Sequence, residues 1–154
     1  MGELKHICEV TYAQLDELVK VVNQYWDTFS KRPMIKEEVK NQSYWEEIRR
    51  KGRLIVYKAD NNEVGAIMAL LKVDKNVTID VFIIAPPYME LGIEPKMLRV
   101  AERIAVHWSA EQLNWLFSGK EDIEKEFPIF QQLGYVLHCP MNKKGFVLLE
   151  KKVV

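Results

Sequence analysis

Apolar residues at Leu15, Leu18, Val19, Val22 and Trp26 recur three and four positions apart, the stripe of an amphipathic helix. Thr11 and Gln14 stand just ahead of it as a T-x-x-Q capping box. The preceding "LKHICEV" alternates in the manner of a first strand. "KRP" then interrupts, and a second helix is expected from about Ile35, carrying Val39, Trp45 and Ile48 and stopping at Gly52. From there the period changes. "RLIVYKA", "EVGAIMALLKV" and "VTIDVFIIA" are strand-like runs separated by the turn formers "DNN" and "DKN", which predicts a three-stranded antiparallel meander. Strict alternation in the last run puts Val77, Ile79, Val81 and Ile83 on one face and Thr78, Asp80, Phe82 and Ile84 on the other.

A third helix is expected to take Pro95 as its first residue and to turn Met97, Leu98, Ala101, Ile104, Ala105 and Trp108 inward. "LNWLF" reads as the next strand, so strand, helix and strand imply a parallel crossover. A short helix in "FPIFQQLG" stops at Gly134, and "YVLHC" and "GFVLLEK" pair as a hairpin around "PMNKKG". The order β-α-α-β-β-β-α-β-α-β-β describes an α/β fold with a mixed sheet.

Composition narrows the function classes. A chain of 154 residues with 48% apolar content suits one domain over its whole length, 1–154, with one substantial core. The 22 basic and 22 acidic side chains cancel, so no overall field recruits nucleic acid or an anionic membrane. No apolar run reaches membrane-spanning length, and the N-terminus lacks the long apolar segment of a signal peptide. Cys8 and Cys139 form no CxxC pair, and three scattered histidines give no metal-ligand spacing. Buried free thiols and a cytoplasmic setting follow as the default expectation.

The element order, with "IAPPYMELGIEPKML" after the fourth strand and "FPIFQQLGYV" near the end, resembles the GNAT superfamily of N-acetyltransferases. The family loop runs like V-x-P-x-Y-R-G-x-G-x-G-x-x-L-L, and Ile84, Pro86, Tyr88, Gly92, Ile93, Met97 and Leu98 occupy the corresponding places. The segment from Ile129 to Tyr135 echoes a second family pattern near l-Y-e-k-l-G-F. The resemblance implies a mixed central sheet of about seven strands flanked by about four helices. It also implies acetyl-CoA as co-substrate and transfer of its acyl group to a small-molecule or peptide amine, by a monomer or homodimer. The residues it assigns to the coenzyme are Ile84, Met89, Leu91, Gly92, Ile93, Glu94 and Phe130.

Three positions depart from the family pattern. Met89 stands for its Arg or Gln, Glu94 for its second glycine, and Phe130 for its proton-donating tyrosine. A backbone cradle at a helix N-terminus holds a diphosphate through N–H groups and the helix dipole. A carboxylate there either replaces the anion or turns outward and leaves the cradle open. Phe130 has no proton to give. Asp80, a carboxylate in mid-strand among apolar neighbours, is the candidate general base; its alternative is a partnered acid on a partly wet face. Tyr25, Trp26, Phe29, Tyr44 and Trp45 are core aromatics, some of them candidates to line an acceptor cleft, and Lys96, Arg99, Arg103 and Lys120 are candidates for the nucleotide end. The second reading is a catalytically inactive GNAT-like binding or regulatory module.

Overall fold

The computed structural model describes residues 7–9, 15–25, 40–89, 91–118, 128, 130–138 and 146–153. The capping-box residues Thr11 and Gln14, the stretch Ile35 to Val39, and Trp26, Phe29, Lys120 and Cys139 lie outside them. The elements are β1 (Ile7–Glu9), α1 (Leu15–Gln24), α2 (Gln42–Lys51), β2 (Arg53–Lys58), β3 (Val64–Val73) and β4 (Asn76–Ile84). A 3-10 turn (Pro86–Tyr88) leads to α3 (Ile93–His107), β5 (Gln112–Ser118), β6 (Val136–His138) and β7 (Phe146–Lys152).

The seven strands form one sheet in the order β1-β2-β3-β4-β5-β7-β6. β4 and β5 are its parallel pair, and every other neighbouring pair is antiparallel. The expected meander is present as β2-β3-β4. Its turns place Asn62 (φ 71°) and Asp74 (φ 55°) in the left-handed region, which short polar side chains tolerate. β7 pairs with β6 as the terminal hairpin requires, and also inserts between β6 and β5.

Both sheet faces are covered. Leu15, Leu18 and Val22 of α1 and Trp45 and Ile48 of α2 pack on one face against Leu54, Val56, Ile67, Ala69, Val81 and Ile83. Ile93, Met97, Leu98, Ala101 and Ala105 of α3 pack on the other, against Met68, Leu70, Val77, Ile79 and Phe82. β3 is therefore buried without a break from Val64 to Leu70, which is why it reads as a continuous apolar run rather than an alternating one.

Four sequence expectations need correction. The second helix begins at Gln42, because Asn41 is extended (φ −106°, ψ 138°) and cannot continue a helix from further upstream. It ends at Gly52 as expected, with the basic Arg49, Arg50 and Lys51 against the negative end of its dipole. α3 begins at Ile93, so Pro95 is its third residue and not its first. Cys8 is exposed, not buried. The fourth concerns β4. Val81 pairs with Ala69 and Ile79 with Leu70, leaving Asp80 with no partner on β3: a β-bulge. The extra residue reverses the alternation. Phe82 and Ile84 join Val77 and Ile79 on the α3 face, and Val81 and Ile83 face α1 and α2.

Candidate active site

The parallel ladder between β4 and β5 runs only from Asn76 opposite Gln112 to Ile79 opposite Trp115. Both strands continue, β4 to Ile84 and β5 to Ser118, with no further pairing to each other. β4 stays paired to β3 on its other edge through Ile84. Beyond Ile79, then, the edge of β4 that faces β5 carries backbone groups that no β5 residue meets. Such an edge accepts an extended, amide-bearing chain by strand addition.

Asp80 stands where the two strands part. It is half-buried, and the hydroxyl of Tyr44 on α2 donates a hydrogen bond to its Oδ2. The Tyr44 ring is held edge-on to Trp45, centroids 4.9 Å apart, and Trp45 is fully buried. The polar tip of Tyr44 is thus fixed by a ring anchored in the core. Asp80 has the partner that a half-buried carboxylate requires, and that partner is a neutral donor rather than a Lys or Arg.

The loop ahead of α3 is tied down at its start. The Ala85 N–H donates to Gly65 O at 2.9 Å, and the Tyr88 hydroxyl donates to Glu63 Oε2 at 3.2 Å. A Cβ on Gly65 would sit 2.8 Å from the Tyr88 ring, so the absence of a side chain lets that ring lie flat on β3. Ile84 ends β4 with its side chain in the α3-side core, and Met89 packs against the same cluster. The Met89 N–H is taken by Pro86 O at 3.3 Å, and its side chain is half-buried. Leu91 is exposed.

Gly92 caps α3 with φ 75°, and a Cβ built there would meet nothing within 4 Å. The side-chain direction of this left-handed residue is therefore open. Ile93 is buried and pins the helix to the core below. First-turn N–H groups of a helix have no carbonyl to reach within it, which makes them available to an anion. Two features oppose that use: Glu94, half-buried, brings a carboxylate to the second helical position, and Pro95 has no N–H at the third.

Phe130 is buried, 5.2 Å from the Trp115 ring and 6.4 Å from that of Tyr135, in a row that Phe82 extends at 5.4 Å from Trp115. It is a core aromatic. Tyr135 donates to Glu102 Oε2 at 3.1 Å, and Lys151 donates to the other oxygen of the same carboxylate at 2.7 Å. Burial, reinforced by the Glu102 charge and hydrogen bond, pushes the Tyr135 hydroxyl well above the usual tyrosine range.

Of the sequence-selected residues, Ile84, Met89, Ile93 and Phe130 share one apolar cluster. Asp80 is bonded instead to α2, on the other face of the sheet. Tyr44 was legible only as one of several aromatics. Its bond spans 36 residues and depends on a bulge that no local pattern announces. Arg99 and Arg103 line a groove beside β7. Among the described residues, no cluster of His, Cys, Asp and Glu is arranged to hold a metal, and no helix is long and apolar enough to cross a membrane.

No family model matches the sequence, and no curated protein matches it significantly. Solved structures do match the fold. An acetyltransferase of the GNAT family from Staphylococcus aureus Mu50 superposes with a TM-score of 0.73 at 10% identity, covering 96% of this chain and 98% of that one. A GNAT-family acetyltransferase from Streptococcus pneumoniae gives 0.70 at 14% identity, with 96% and 98% covered. N-acetylglutamate synthase from Neisseria gonorrhoeae, complexed with coenzyme A and N-acetylglutamate, gives 0.72 at 10% identity; the match covers 96% of this chain and 35% of that longer one. The chain has the GNAT acetyltransferase fold.

Proposed function

We propose that this protein is an acyl-CoA-dependent N-acyltransferase, with acetyl-CoA as donor and a small-molecule or peptide amine as acceptor. The observation that carries this reading is the coincidence of three features. β4 parts from β5 immediately after Ile79, Asp80 bulges at that point in contact with Tyr44, and the side-chain direction of Gly92, the cap of the following helix, is open. The solved N-acetylglutamate synthase complex, which shares the fold, contains coenzyme A.

The residues suit the different parts of the coenzyme unequally. The unpaired edge of β4 fits an extended pantetheine arm, and the Gly92 cap with the Ile93 amide suits a diphosphate. Glu94 works against that diphosphate by Coulomb repulsion on the order of 1–4 kcal/mol at about 4 Å. The bound thioester supplies an activated acyl group. The chain's own contribution is to position and to move a proton. Asp80, oriented by Tyr44, accepts a proton from the acceptor ammonium directly or through one water, leaving a neutral amine to attack the thioester carbonyl. A backbone N–H near Ile84 polarises that carbonyl. The C–N bond forms and the C–S bond breaks; the second proton of the attacking nitrogen passes through water to the departing thiolate, since Phe130 has no proton to give.

A second reading, a fold kept for binding without catalysis, draws on Met89, Glu94 and Phe130 together. Incubation with acetyl-CoA and a panel of primary amines, followed by mass spectrometry, separates the two. The transferase reading expects an acetylated product that Asp80→Asn reduces by about a hundredfold or more, the usual span of a general base. No product from any amine favours the binding module.

A further inference from the structure

A groove lies between the C-terminal half of α3 and the end of β7. It is a concave space of about 320 Å³ lined by Arg99, Arg103 and Val106 of the helix and by Lys152 and Val153 at the end of the chain's last strand. By helix rise these α3 residues sit roughly 9 to 20 Å along the axis from Ile93 and its cap. Glu102 also lines the groove, and both of its oxygens are already bonded, one by Tyr135 and one by Lys151. That carboxylate balances Lys151 alone. Among the described residues none of Arg99, Arg103 and Lys152 makes an ion pair. Two uncompensated arginines therefore border one concavity in a chain whose formal net charge is zero. Lys152, next along the strand from the Lys151 that reaches Glu102 of α3, directs its side chain to the opposite face of the sheet and contributes backbone.

We propose that this groove is a second ligand site, separate from the opening between β4 and β5, and that it takes a small organic phosphate monoester. Arg99 and Arg103 stand one helical turn apart, with Cβ atoms roughly 5–6 Å from each other, so both guanidinium groups reach a single phosphate. Their planar forks match its oxygens pairwise. Val106 is 57% exposed and, with Val153, gives an apolar wall for the organic part of the ester. A bare anion would leave that wall uncovered. The volume lies at the lower end of the range for small-molecule sites, roughly 300–1,000 Å³. This proposal stands whether or not the fold is used for acyl transfer.

Titration with phenyl phosphate, followed by calorimetry and by nitrogen–proton correlation spectra, tests it. The expected result is saturable binding with shifts at the Val106 and Val153 amides, weakened about tenfold or more in the double variant R99Q/R103Q. R99K/R103K keeps the charge but loses the forks and should fall between the two. Because both arginines are on the surface, an unchanged melting temperature in either variant ties the loss to the groove; if the glutamine pair fails to fold, the lysine pair decides. Saturating acetyl-dephospho-CoA, which keeps the diphosphate and the thioester but lacks the 3′-phosphate monoester, should leave phenyl phosphate binding unaltered. The proposal is overturned by any of four results: no saturation by about 10 mM, equal binding to the charge-removed variant, inorganic phosphate binding as tightly as the ester, or displacement by acetyl-dephospho-CoA.

Discussion

The hydroxyl of Tyr44 on α2 donates to the carboxylate of Asp80 at the position where β4 carries one residue more than β3. A bulge turns one side chain out of the regular ladder. Here it gives a lone acid to a helix on the far side of the sheet from α3, just where β4 leaves β5. Removing the donor alone, in Tyr44→Phe, should lower kcat/KM for the amine at least about tenfold while leaving acetyl-CoA affinity within about twofold. The stability change should be about 1 kcal/mol, the net worth of one hydrogen bond. Steady-state kinetics with a parallel binding titration checks this. Loss of coenzyme affinity in step with activity would assign Tyr44 a structural role only.

Glu94 at the second position of α3 stabilises the helix by facing its positive end and opposes an anion at the same place. Glu94→Gln separates the two effects. Acetyl-CoA binding should tighten, by about fivefold or more at low ionic strength and less at high salt, where the repulsion is screened. Thermal stability should fall by about 0.3–1 kcal/mol, the worth of a charge at a helix end. An unchanged dissociation constant across salt concentrations would show that the carboxylate does not confront the diphosphate.

The Tyr135–Glu102–Lys151 network makes a statement about alkaline stability. The folded protein holds the Tyr135 proton more tightly than the unfolded chain does, because burial and Glu102 raise its pKa. Its contribution is complete below the unfolded value of about 10 and declines as the pH rises above it, by up to about 1.4 kcal/mol per pH unit. Urea denaturation between about pH 8 and 11 should show this loss in the parent protein and a shallower slope in Tyr135→Phe. Parallel slopes in the two proteins would contradict it.

Much of the fold was legible because it is local. The turns "DNN" and "DKN" announce their left-handed Asn62 and Asp74, and Gly52 marks the end of α2. The stripes of α1 and α3 identify their buried faces. The bulge at Asp80 was not legible, because the apolar residues of β4 lie on both faces of a sheet covered on both sides. Period-two alternation then carries no polar mark from which a slipped residue can be read. The insertion of β7 between β5 and β6 is likewise a matter of distant pairing. In the candidate site, the loop and its departures were visible from residue identities. Met89 turning inward, Pro95 at the third helical position and Tyr44 bonded to Asp80 each depend on three-dimensional placement.

Everything proposed for catalysis requires that a nucleotide thioester lodge against the free edge of β4 and the cap at Gly92. The most direct measurement is thermal denaturation with increasing acetyl-CoA. If the coenzyme binds, a concentration about 100 times its dissociation constant should add roughly 2.7 kcal/mol of stability and raise the melting temperature by several degrees. Desulfo-CoA, which keeps the diphosphate and the pantetheine arm, should do nearly as well. A melting temperature that does not move at millimolar acetyl-CoA would contradict the account and leave the fold as a binding module.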